Sequence, residues 1–138
     1  MTTNEKALVK ETFAKVVPIA ETAAGLFYGR LFEMDPSLRP LFRTDIREQG
    51  RKLMQMIGYC VGQLDALDEL VPAVKELGRK HAGYGVEEED YETVGGALLW
   101  TLEQGLGAAF TAEVRAAWTA VYELLAATML EGANSEAA

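Results

Sequence analysis

Apolar residues return at intervals of three and four along nearly the whole chain, and no stretch alternates strictly as a half-buried strand does, so the pattern predicts an all-α fold. A first helix runs from about Asn4 to Val17 and buries Leu8, Val9, Phe13 and Val16, with Pro18 marking a joint. A second, from about Ile19 to Met34, carries Ala20, Ala24, Phe27, Tyr28, Leu31 and Phe32. In "MDPSLRPLF" Asp35 can cap free backbone amides, Pro36 suits a first helical position and Pro40 keeps the turn short, so this piece ends at Phe42. Asp45, followed three residues later by Glu48, has the spacing of a capping box. It opens a long helix to about Leu64 with the stripe Gln49, Leu53, Met56, Ile57, Cys60 and Leu64. A short helix from about Asp68 to Lys80 then delivers His81. The acidic run Glu87 to Asp90 suits the positive end of a helix that continues through Leu98, Leu99 and Leu102 to Gly107. Thr111 caps the last helix, which carries Val114, Trp118, Val121, Tyr122, Leu125 and Met129, and the tail "EGANSEAA" is expected to fray from about Glu131.

A chain of 138 residues fits one domain, 1–138, large enough to bury a core and a small cofactor. A net charge of -8 and a pI near 4.7 exclude the clustered basic surface that nucleic acid or an anionic membrane face requires. No segment approaches the run of about 20 apolar residues that membrane insertion needs, and the N-terminus lacks the hydrophobic stretch of a signal peptide. Cys60 has no partner for an intrachain disulfide and sits in the apolar stretch "LMQMIGYCVG", where it reads as a small buried hydrophobe. These features together predict a reduced, cytoplasmic protein.

His81 is the only histidine. Zinc and di-iron centres draw three or four ligands from the protein, whereas a porphyrin brings four equatorial nitrogens and asks for as little as one axial imidazole. Haem is therefore the metal centre best matched to this inventory, beside the plainer use of a histidine as a structural residue or helix-end cap. Gln49 opens an otherwise apolar stripe, and two places are open to it: the solvent edge, or a pocket in which something receives its donor. Tyr28 raises the same question, since a buried phenol needs a partner, either a backbone carbonyl or a group in a pocket. Two such donors facing a histidine on another helix would bracket a flat ligand with one polar and one metal-binding side.

With these residues in view, the chain resembles the bacterial single-domain haemoglobins and the globin domain of flavohaemoglobins, from about Lys6 to Met129. "LFYGRLFEMDPSLRPLF" looks like the family's second and third helices, with Tyr28 at the distal tyrosine and Phe42 at the phenylalanine on the haem face. "EQGRKLMQMIG" is similar to the distal helix, with Gln49 at the polar distal position and Leu53 one turn further in. "PAVKELGRKHAGYGV" looks like the proximal helix, which makes His81 the axial ligand and adds Leu77, Lys80 and Val86 to the haem surroundings. "DYETVGGALLWTL" and "AAWTAVYELLA" match the last two helices, with Tyr91 near the proximal side and Val94 beside it as a haem contact. Lys52 and Arg51 flank the distal stripe, where they either reach the haem propionates or stand as solvated helix charges.

The resemblance implies a three-over-three globin sandwich around haem b (iron protoporphyrin IX), with the D helix short or absent. In flavohaemoglobins a tyrosine and a glutamate hydrogen-bond around the axial histidine, and the carboxylate pushes electron density to iron. Here Ala133 stands opposite that glutamate, with Glu131 two residues earlier. No flavin or nicotinamide domain follows, so a catalytic cycle would require a separate reductase. The resemblance implies an oxygen carrier or scavenger of high affinity, with dioxygen, nitric oxide and carbon monoxide as ligands. Nitric oxide dioxygenation with an external reductase is the alternative, and a haem-free sensor or structural globin is a third.

Overall fold

The computed structural model describes residues 2–41, 45–83 and 88–137, and among these the chain is helical with no strand. Its α-helices are α1 (Thr3–Val16), α2 (Ala20–Met34), α3 (Ile46–Gly62), α4 (Leu67–Gly83), α5 (Glu88–Leu106) and α6 (Ala112–Ala137). Phe42 and Val86, both expected against the ligand, lie outside the described residues. His81 is described by its backbone alone.

Local chemistry sets the boundaries. Thr2 caps α1 reciprocally: its hydroxyl accepts from the Glu5 N–H at 3.1 Å while the Glu5 carboxylate accepts from the Thr2 N–H at 2.9 Å. Pro18 cannot donate to a helical ladder, and α1 gives way to a 3-10 turn over Val17–Ile19 before α2 begins. Pro36 and Pro40 hold Pro36–Leu41 in 3-10 form. Asp45 caps α3, accepting from the Arg47 N–H at 3.2 Å.

Three expectations need correction. Met56 is 39% exposed, because the face that α3 buries, with Leu53, Met54, Ile57, Cys60 and Val61, centres on Ile57, and Met56 is turned about 100° from that centre. Instead, Met54 packs on the core. α4 runs past Lys80 to Gly83, so His81 belongs to its last turn. The helical backbone of α6 continues to Ala137, where composition suggested an end near Glu131. There Glu131 pairs with Lys75 at 3.2 Å, the Gly132 backbone lies against Lys75, and Ala and Glu favour the helix.

α2 packs between α3 and α5, α1 lies on α6, and α4 lies on α6 in the most extensive helix pairing of the fold. The largest buried cluster joins Val9, Val16, Val61, Leu64, Leu102 and Trp118 from α1, α3, the α3–α4 turn, α5 and α6. A buried hydrogen bond crosses it, from Trp118 Nε1 to Thr12 Oγ1 at 2.8 Å, while Thr12 donates to the Leu8 carbonyl at 2.7 Å. Cys60 is buried at 4% exposure among Leu70 and Val74, with Leu125 and Met129 alongside, as a small hydrophobe should be.

Candidate functional site

Tyr28 sits in α2 at 3% exposure, in a cluster with Phe27, Leu31, Leu38 and Ala97. Its ring is clamped by two aromatic neighbours. Phe27 meets it edge-on at 5.0 Å and Phe32 stacks on it at 6.0 Å, with the Arg39 guanidinium 5.0 Å from the centre of the Phe32 ring. Gln49 of α3 makes a side-chain hydrogen bond with the phenol. The buried phenol and the polar member of the α3 stripe are partners. Burial pushes the phenol up from 10.0 to about 12, and the Gln49 bond works against that shift without cancelling it. Tyr28 therefore keeps its proton throughout the physiological range.

Close approach of α3 to α2 makes this pairing possible. Gly50, next to Gln49, is buried, and a Cβ there would come within 2.8 Å of the Ala24 methyl. Leu53 and Val94 pack partly buried against the Tyr28 cluster, from α3 and α5 respectively. An apolar cavity of about 20 Å³ adjoins it, lined by Ala24, Phe27, Leu53, Ile57, Leu98 and Trp118 among others. That volume admits about one water-sized molecule, and its apolar lining offers water no partner. Sequence reasoning missed this cavity, although each of these six residues stands on a helical stripe; the stripes do not reveal which side chains leave a gap where they meet.

The other expected residues fall into two groups. Lys52 is exposed and lies 4.0 Å from Glu48 one turn back, and Lys80 is exposed near the end of α4. Leu77 is half-buried, one turn before His81 on the same helix. Tyr91, 9% exposed, has its phenol held above the ordinary range by burial and then by the charge of Asp90. Its backbone carbonyl accepts a hydrogen bond from the Tyr122 hydroxyl at 2.6 Å, which ties α5 to α6. Glu131 is engaged with Lys75 of α4. Among the described residues no three His, Cys, Asp or Glu side chains gather to cage a metal ion, and no helix is long and apolar enough to cross a membrane.

The globin family model matches residues 25–129. A neuroglobin of Chaenocephalus aceratus is 35% identical over 121 residues, covering 78% of this chain and 76% of its own. That of Danio rerio is 30% identical over 142 residues, covering 93% and 89%. In three dimensions the chain is similar to the crystal structure of a hexacoordinated heme protein from an anhydrobiotic tardigrade at pH 4, with a TM-score of 0.87 at 20% identity and coverage of 97% and 96%. The fish relatives establish the family.

Proposed function

Since the chain belongs to the globin family, we propose that it binds haem b through His81 and holds dioxygen with high affinity, as a carrier or scavenger, with Tyr28 and Gln49 as donors to the gas. The observation that carries this reading is the hydrogen-bonded Tyr28–Gln49 pair inside an otherwise apolar cluster. A core built for stability alone gains little from a phenol and an amide that could both be apolar.

The residues fit the group. The one histidine lies on a helix separate from both distal donors, which suits a group that brings its own equatorial nitrogens and asks for one imidazole. When bound, an iron porphyrin supplies those four nitrogens and an axial position for a diatomic gas. His81 would hold it through its imidazole. Tyr28, protonated and clamped by Phe27 and Phe32, directs its O–H to a polarised diatomic molecule, and Gln49 both orients the phenol and offers a second N–H. Hydrogen bonds of this kind strengthen as negative charge accumulates on the acceptor, which slows escape of dioxygen more than that of the less polarised carbon monoxide. Leu53, Val94 and Leu77 would provide apolar walls, the resemblance assigns Phe42, Val86 and Tyr91 to the same surroundings, and Lys52 and Lys80 would serve the propionates. With one histidine, these 138 residues cannot offer two imidazoles to an iron porphyrin.

A separate reductase in a reducing cytoplasm is the partner this reading requires, with nitric oxide and carbon monoxide as competing ligands. Full-length protein supplied with haem should develop a Soret band that His81→Ala fails to retain. Tyr28→Phe should accelerate oxygen dissociation by about 10- to 100-fold, the worth of one charge-assisted hydrogen bond. An unchanged rate in stopped-flow measurements would remove the phenol from the mechanism. Sustained conversion of nitric oxide to nitrate with an added reductase would replace the carrier by a dioxygenase.

A further inference from the structure

α4 carries His81, and among the described residues α6 is the only element against which it packs extensively. Among the described residues, the α4–α6 interface is therefore the main seat of the helix that carries the imidazole. At its centre two backbones touch. A Cβ added to Gly78 would fall on the Met129 carbonyl oxygen and lie 2.6 Å from the carbonyl carbon. A Cβ on Gly132 would fall on the Lys75 carbonyl oxygen and lie 2.6 Å from the Lys75 Cα. The arrangement is reciprocal. Lys75 and Gly78 are three residues apart on α4, Met129 and Gly132 three apart on α6, and each glycine receives the backbone of the other helix.

An interface of side chains can absorb a shift by changing rotamers, whereas two helical backbones in contact have no such freedom. Leu70 and Val74, packed with Leu125 and Met129, extend the contact toward the start of α4, and the Lys75–Glu131 pair at 3.2 Å borders it. That ion pair is exposed and adds little stability. His81 follows Gly78 by three residues, about 4.5 Å along the helix axis, so a displacement at the notch passes along less than one turn before it reaches the ligand. A methyl at either glycine has to move from 2.6 Å to a carbon–carbon contact of about 3.5 Å or more. A ligating constellation tolerates about 0.5 Å.

We infer that Gly78 and Gly132 are positioning residues, whose reciprocal notch seats α4 on α6 and presents His81 before haem arrives. This rests on the reading of His81 as the axial ligand. Two measurements on the full chain test it separately from that reading. In hydrogen exchange on haem-free wild-type protein, the amides of 75–81 should be as protected as those of 125–131. Fast exchange confined to α4 overturns the proposal, whatever the variants do. In resonance Raman spectra of the ferrous, gas-free haem protein, Gly78→Ala and Gly132→Ala should each shift the iron–imidazole stretching band and speed haem loss by about 10-fold or more. Gly62→Ala, where a Cβ meets nothing within 4 Å, should leave both unchanged. Wild-type values in both notch variants overturn the proposal. If either variant fails to fold, the exchange measurement decides. A wild-type protein with no iron–imidazole band refutes the ligand reading, while the exchange data judge the seat of α4 on their own.

Discussion

At Tyr28 two influences oppose each other, since burial disfavours the phenolate and the Gln49 hydrogen bond favours it. Burial wins, and the phenol rises from 10.0 to about 12. A proton held more tightly in the folded than in the unfolded state stabilises the fold fully below pH 10, and that contribution is lost as pH rises toward 12. Tyr91 and Tyr122 are raised as well, chiefly by burial, and add to the same alkaline decline. The wild-type protein should therefore lose unfolding free energy across this window more steeply than Tyr28→Phe, followed by urea titrations at successive pH values. Parallel declines would mean that the phenol is not perturbed. That Tyr28 faces inward was readable from its place between Ala24 and Leu31. Its partner was not, because Gln49 stands on a different helix and sequence spacing does not say which helices touch.

At the scale of the element, α3 begins where Asp45 accepts from the Arg47 N–H, and the first turn then hands the chain to Gln49, whose N–H donates to the Asp45 carbonyl at 2.9 Å. Asp45→Ala should lower stability by about 0.5 to 2 kcal/mol, measured by denaturant unfolding. By loosening the turn that holds Gln49, it should also raise the Tyr28 titration further, read from phenolate absorbance. A stability loss with an unmoved titration would separate the cap from the site. Helix existence and type followed directly from periodicity, and Asp45 was readable as a cap. Ends were less accessible. The expected stop at Lys80 placed His81 beyond its helix, yet α4 continues through Gly83, because packing on α6 stabilises turns that local composition leaves undecided.

Over the whole molecule, the hydrogen bond from Trp118 to Thr12 joins the last helix to the first across 106 residues of sequence. Thr12→Val keeps the shape of the side chain but leaves a buried indole N–H unpaired, and should destabilise by about 1 to 3 kcal/mol. The urea midpoint should fall with an unchanged slope. An unaltered midpoint would show that Trp118 finds another acceptor. Nothing in the local pattern marks Thr12, a polar residue among the apolar positions of α1. Its burial depends on where α6 comes to lie.

Hydrophobic periodicity alone determined an all-α chain, the inward faces of its helices, a buried lone cysteine and a ligand inventory with a single imidazole. These are properties of neighbours three and four apart, and a helix expresses them wherever it goes. Tertiary structure decided the pairing of Tyr28 with Gln49, the gap bordered by Phe27 and Trp118, and the meeting of Gly78 and Gly132 with each other's helices. Such contacts depend on the crossing angle and separation of helices distant in sequence, which arise only when all the apolar stripes are buried at once.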